Sequence, residues 1–440
     1  MQKSRILFLI LFLAINSFTF AQKEFTLEKV TVVSRHNVRA PLEKYLNTLD
    51  EMTGDGYQWT RWSVPGGNLT LRGGALEMLF GEYFRLWLQN EHFLLCPQNE
   101  EFYFGASPKQ RTIATARAFA AGMLPYMTVP VDYKVDETGK LASSDPDYLP
   151  LLNDYSASNG SFDIAAFRRE ANRELGQLEA PSYVFLEEVL RMEGSIYTSK
   201  NSGKHFDKNV EVCLDFYKKN GDQAEPTMQG GLKDANMASD AFILQYYEME
   251  DSVKAAFGHQ LSFDEWKKLA SIKDTYGDFL FTKAPIISVN VSHCMLLRLQ
   301  LEMIAGGHKF AFFCTHDSMI AALLAALRVK PYKLPNTIET QTPIGVKLLF
   351  EQWKETCSDN PKRYVRVRLL YQSSDQIRKM IPMDLCHPPM SYELSFEGLE
   401  KASNGMFKYE DFMNRLQESI QAYDETAQGN YPWKKNNKRD

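Results

Sequence analysis

Val30-Thr31-Val32-Val33-Ser34-Arg35-His36-Asn37-Val38-Arg39-Ala40-Pro41 is the stretch on which the reading of this 440-residue chain turns. Its first four residues are apolar and β-branched, as in a short buried strand, and polar and turn residues end the run. Two arginines then bracket a histidine. Arginine resists burial unless paired, and flanking cations disfavour a charge on the imidazole between them. An anion makes sense of the arrangement, since guanidinium forks grip a phosphoryl group while a ring nitrogen faces phosphorus. Taken alone, the stretch also fits a surface loop with two solvated arginines.

Two further strand ends carry residues of the same kind. Lys309 to Thr315 reads as a strand buried on both faces and runs straight into His316-Asp317-Ser318. Asp317 or Ser318 is expected to cap the apolar helix that follows over Met319 to Leu327. Glu101 to Ser107 reads as another strand, and the helix opening at Pro108 places Arg111 near its N-terminus, where an anion is favoured. In open α/β sheets, sites form beyond the carboxyl ends of strands, and right-handed crossovers bring these ends to one edge.

The pooled set is Arg35, His36, Arg39, Arg111, His316 and Asp317. It suits hydrolysis of a phosphomonoester through a phosphohistidine. Neutral His36 attacks phosphorus, and the arginines neutralise the equatorial oxygens. Asp317 in its acid form protonates the leaving oxygen and then activates water. Arginines lower the pKa of Asp317 while burial and bound phosphate raise it, so a slightly acidic optimum is expected. With arginines carrying the charge, no metal or other cofactor is required.

Composition sets the frame. Hydrophobic content of 44% and charged content of 24% describe a globular chain, long enough for one large or two ordinary domains. Residues 1–21 read as a secretory signal: Lys3 and Arg5, an apolar run over Ile6 to Ile15, then Thr19-Phe20-Ala21. A retained N-terminal anchor is the alternative. Loss of that leader removes two basic and no acidic residues, taking the formal charge from −5 to −7. Such a chain has no general attraction for nucleic acid or anionic lipid, so any phosphate site must be locally positive. The six cysteines, at 96, 213, 294, 314, 357 and 386, show no metal-binding spacing, and their pairing is left open.

Thr70 is placed to cap a helix with the apolar stripe Leu76, Leu79, Phe80, Tyr83, Phe84 and Trp87. From 131 to 283 polar turn clusters alternate with helical patterns and clear strands are scarce. The expectation is an α/β domain formed by residues 22–130 and 284–440, with residues 131–283 inserted as an α-helical cap. Val346 to Phe350 and Tyr364 to Tyr371 suggest an antiparallel pair at the sheet edge, and a disordered tail is expected from Lys434 to Asp440.

At these residues the chain resembles the histidine acid phosphatases, the two-domain branch of the histidine phosphatases. Their R-H-G-x-R-x-P pattern is Arg35 to Pro41 here, with Asn37 in place of glycine, and their late H-D pair is His316-Asp317. Further likeness, to the group within the family that hydrolyses glucose 1-phosphate, lies in Ser34 to Leu42, Val64 to Thr70, Gln110 to Ala116, Asp240 to Glu248 and Thr342 to Gly345. The resemblance implies an α/β sheet with flanking helices and an inserted α-helical cap. It implies His36 as nucleophile, Asp317 as proton donor, and Arg35, Arg39, Arg111 and His316 as phosphate ligands. Glu225-Pro226 before Gly230-Gly231-Leu232-Lys233 matches a substrate-facing cap segment, which makes Glu225 the candidate for specificity. Cys96 matches one of the family's cysteines but its usual partner position, near Tyr126, is not cysteine, so that disulfide scheme does not transfer.

The expected activity is therefore that of an exported, periplasmic acid phosphatase acting on small phosphomonoesters such as sugar phosphates. A phytase-type enzyme acting on inositol phosphates is the first alternative and a non-catalytic phosphosugar-binding protein the second. A phosphoryl mutase is disfavoured by the leader and the large cap.

Overall fold

The structure, a computed structural model, describes residues 24–94, 98–154, 162–201, 203, 205–304, 306–356 and 358–436. The leader read over 1–21 and the last four residues of the tail lie outside them. The described part of the tail is anchored: Pro432–Asn436 is a short helix in which Trp433 donates to Glu174 at 2.7 Å and Lys434 pairs with Glu170. The polar composition that suggested disorder there is offset by these two acids.

The strands are β1 (Phe25–Arg35), β2 (Phe102–Ala106), β3 (Val210–Cys213), β4 (Thr227–Gly230), β5 (Phe310–Thr315), β6 (Lys347–Glu355), β7 (Arg363–Tyr371), β8 (Met390–Glu393) and β9 (Phe407–Lys408). The main sheet runs β2-β5-β1-β6-β7-β8, with β9 also pairing β7. β2, β5 and β1 are parallel, and the β1–β6, β6–β7 and β7–β8 pairs are antiparallel. β6 and β7 are thus the antiparallel pair read from the sequence, but they do not form the sheet edge. β6 lies against β1, and β8 and β9 cover the far side of β7. Strands of four and two residues are too short to announce themselves by alternation.

The longer helices are α1 (Leu71–Asn90), α2 (Gln110–Met123), α3 (Ile164–Leu175), α4 (Gly231–Glu248), α5 (Phe263–Gly277), α6 (Pro285–Met303), α7 (Asp317–Ala326) and α8 (Tyr409–Ala427). α1 starts where Thr70 accepts a hydrogen bond from the Gly73 N–H, as its sequence foretells. β5 shows why the sheet needs two helical layers. Phe310, Phe312 and Cys314 pack with Phe84 of α1 and Phe119 of α2, while Ala311 and Phe313 pack with Leu299 of α6 and Leu323 of α7. All six residues of β5 are buried, and each fully buried Phe contributes about 1.5–3 kcal/mol. α1 and α2 cross so closely that a Cβ on Gly81 would sit 2.1 Å from the Phe119 carbonyl oxygen.

Between the β2 and β5 portions, α3, α4 and α5 gather around Phe167, Phe242, Tyr247 and Trp266, with β3 and β4 as a two-stranded ribbon at their side. That apolar cluster continues onto Val38, Leu76, Ile338 and Ile344 of the α/β part. After α5 the backbone widens into a π-helical turn, Asp278–Thr282, before α6 begins at Pro285. Among the described residues no single helix is long and apolar enough to cross a membrane.

Parallel pairing settles where the polar strand ends go. Arg35 lies opposite Thr315, and Ala106 opposite Cys314. His36, Ser107 and His316 therefore leave the sheet on one edge, side by side.

Candidate active site

His36 is 3% exposed and is held from several sides. Its backbone N–H donates to the Thr315 carbonyl at 3.2 Å, and its carbonyl accepts from Gly345 N–H at 3.2 Å. Its Nδ1 lies 2.8 Å from the Asn37 carbonyl oxygen. A carbonyl can only accept, so Nδ1 carries the proton and Nε2 keeps its lone pair. Burial, then Arg111, His316, Arg39 and Arg35, lower the pKa of His36 well below 6.5. The ring is neutral at any pH near neutrality.

Three guanidinium groups surround it, each fixed from behind. Arg35, 2% exposed, donates to Glu339 Oε1 and to the Thr342 carbonyl, both at 2.6 Å. Burial works against its charge, but Glu339 and Asp317 outweigh burial and raise its pKa. Arg39 donates to Asp240 at 2.8 Å. Arg111 has its pKa lowered to about 10 by burial and by Arg39, against the pull of Asp317, Glu225 and Asp240. The Nε of each of these arginines is buried without a hydrogen-bond partner. An excess of buried donors is what a cradle for an oxyanion requires.

Arg111 reaches His316 Nδ1 at 3.4 Å, and the Nε2 of that ring meets Ser107 Oγ at 3.0 Å. Because a guanidinium only donates, Nδ1 accepts and Nε2 carries the proton given to Ser107. Ser107 in turn meets Thr112 Oγ1 at 2.9 Å, closing a chain that fixes the ring. Burial and Arg111 lower the pKa of His316 well below 6.5. The His36 and His316 rings stand edge to face with centroids 5.5 Å apart.

Asp317 departs from the cap reading. The N-cap of α7 is His316, without a side-chain cap bond, and Asp317 is the first helical residue. Its carboxylate turns instead to Lys273 of α5, with Arg35 NH2 at 3.5 Å. Burial would raise its pKa, but Lys273, Arg35 and His36 outweigh burial and hold it well below 3.8. Among these neighbours Asp317 is therefore a carboxylate, not the acid form expected from the sequence.

These groups face a cavity of about 250 Å³, lined among others by His36, Arg39, Arg111, Glu225, His316 and Asp317. Arg35 lies behind its floor. Glu225, half-buried just before β4, has its pKa raised by burial, which Lys218, Arg111, Lys109 and Lys44 partly counter. Lys273, Glu339 and Asp240 escaped the sequence reading. Lys273 looks like a solvated residue of an amphipathic helix, and Glu339 sits in an irregular loop. Asp240 opens one of the quoted stretches, which was its only signal. A larger cleft of about 1270 Å³, between α7 and α8, contains neither histidine nor any of the three arginines. Chemistry and not volume marks the smaller cavity.

Residues 26–370 match the family described as histidine phosphatase superfamily (branch 2). The chain is 35% identical to the glucose-1-phosphatase of Providencia rettgeri, over 91% of this chain and 93% of that protein. It is 32% identical to the glucose-1-phosphatase of Salmonella typhimurium, over 89% of this chain and 92% of that one. The solved phytase of Citrobacter braakii superposes with a TM-score of 0.72 at 26% identity, covering 90% of this chain and 97% of that structure.

Proposed function

The chain belongs to the histidine phosphatase superfamily (branch 2) and is a phosphatase of phosphomonoesters, and we propose that His36 is its nucleophile, with glucose 1-phosphate as the model substrate. The observation that carries this is the neutral, buried His36 ring, with Nδ1 committed to the Asn37 carbonyl, inside a cluster of three guanidinium groups.

His36 Nε2 attacks phosphorus, so a P–N bond forms as the P–O ester bond breaks. Arg35, Arg39 and Arg111 hold the phosphoryl oxygens, while His316, its one proton committed to Ser107, steers Arg111 through Nδ1; one such guanidinium donor is worth about 3–4 kcal/mol to the transition state. Asp317, charged in the free protein, takes up one proton from solvent as the phosphoryl dianion binds and gives that proton to the leaving sugar oxygen. Water then attacks the phosphohistidine, Asp317 takes its proton, and inorganic phosphate departs. The insertion at 131–283 serves as a cap that contributes Glu225 and Lys273 to the leaving-group side. Lys3, Arg5 and the apolar run behind them support export to the periplasm.

A phytase-type substrate is the second reading, favoured by Lys44, Lys109 and Lys218 around Glu225. The test is rapid mixing with a 32P-labelled phosphomonoester and quenching into alkaline denaturant. Label on His36, absent from His36→Ala, is expected. Phosphate release without any trapped label would overturn the covalent route, and neither release nor label would leave a binding protein.

A further inference from the structure

We propose that Lys273, carried by α5 of the insertion, is the residue that keeps Asp317 charged before substrate arrives, so that the proton donor is armed only when a phosphoryl dianion enters. The proposal rests on the reading of Asp317 as proton donor and adds a cap-borne control to it.

The geometry is specific. Lys273 Nζ bonds Asp317 Oδ2, with the two side chains 17% and 24% exposed. Among the described residues Lys273 has no second acid within ion-pair distance, although Asp274 lies near it. The other groups facing Asp317 are Arg35 from the end of β1, His36, His316, Arg111 from α2 and Tyr276 from α5. Arg35 is already matched by Glu339 at 2.6 Å, and Arg111 leans on His316. Lys273 is thus the cation whose ion-pair partner is Asp317. α5 runs on into the π-helical turn Asp278–Thr282, whose Leu280 and Phe281 line the same cavity. π-helical turns recur at functional sites.

The consequence is a proton count. An incoming dianion offsets the positive field of Lys273 and the arginines, and Asp317 then takes one proton from solvent. That proton is the one passed to the leaving oxygen when the P–O bond breaks. An ester of a sugar hydroxyl needs it, while an aryl ester with an acidic phenol needs it far less.

Lys273→Met, Lys273→Arg and Asp317→Asn test this with glucose 1-phosphate and 4-nitrophenyl phosphate. With Lys273→Met, the alkaline limb of kcat for glucose 1-phosphate, which reports Asp317 in the substrate complex, is expected to move up by about one pH unit, since a nearby opposite charge shifts a carboxyl by about 1–3. Lys273→Arg is expected to keep the limb at its wild-type position, and the aryl ester to show no such movement. An unmoved limb in Lys273→Met, with Asp317→Asn still selectively impaired on the sugar ester, overturns the role of Lys273 alone. If Asp317→Asn is impaired equally on both esters, the proton-donor reading itself fails. Calorimetry on the wild type needs no Lys273 variant. Sulfate binding near pH 6, in buffers of different ionisation enthalpy, should take up close to one proton, and Asp317→Asn should abolish that uptake. Zero uptake in the wild type, or uptake that persists in Asp317→Asn, overturns the proposal.

Discussion

Asn37 replaces a glycine of the family pattern, and its side chain ties the histidine loop to a buried charge pair. Nδ2 donates to Glu77 Oε1 at 2.8 Å, and Oδ1 accepts from Val38 N–H at 2.8 Å. Lys347 meets the same Glu77 oxygen at 2.8 Å, and both charged side chains are fully buried. Burial raises the pKa of Glu77 while Lys347 and Asn37 pull it back. Gly345, at φ +71°, closes the back of this pocket; a Cβ there would lie 2.7 Å from Asn37 Nδ2. Breaking a buried pair by removing one partner costs about 3–5 kcal/mol, whereas neutral replacements of both are often tolerated. Lys347→Met is therefore expected to lose about that much in urea-monitored unfolding. The double variant Glu77→Gln, Lys347→Met should recover more than half of it, because the introduced amide oxygen still accepts from Asn37. Equal losses in both would mean that Lys347 acts through packing alone.

The elements behave as their packing dictates. Gly81 lets α1 and α2 touch backbone to backbone, and Gly122 does the same from the other helix, where a Cβ would meet the Met78 carbonyl oxygen at 2.1 Å. Overpacking a well-filled contact costs about 1–3 kcal/mol. Gly81→Ala should destabilise by that amount in thermal unfolding, although alanine has the higher helix propensity; a stabilised variant would contradict the crossing. Legibility followed the same physics. β1 and β5 could be read because both faces are covered and the runs are apolar. Arg35, His36, Arg39, Arg111, His316 and Asp317 stood out because charged residues sit where such runs end, and the structure gathers them. β3, β4, β8 and β9 carry too few residues for a period. Lys273 was invisible because a lysine on a polar helix face gives no sign that it points inward, and the cap reading of Asp317 failed for the same reason.

At the scale of the whole molecule, the cavity is formed by parts that are far apart in the chain. The loop after β1 and the start of α2 supply Arg39 and Arg111, while the stretch between β2 and β5 supplies Glu225 beside β4 and Lys273 on α5. Glu225 stands as one acid among Lys44, Lys109 and Lys218. Glu225→Ala removes the acid and leaves Lys44, Lys109 and Lys218 unopposed. The ratio of kcat/KM for phytate to that for glucose 1-phosphate is expected to rise about tenfold, the equivalent of about 1.4 kcal/mol. A ratio that stays put would take Glu225 out of substrate selection.

The order of the sheet has a last consequence, for synthesis. β1 is the first strand to be made, yet its neighbours β5 and β6 end at Thr315 and Glu355. Until residue 355 has left the ribosome, an eleven-residue strand whose Val30, Val32 and Val33 are destined for the core waits with at least one open side. Unpaired strand edges invite pairing with other chains. The nascent polypeptide is thus open to aggregation through the very strand that leads into His36.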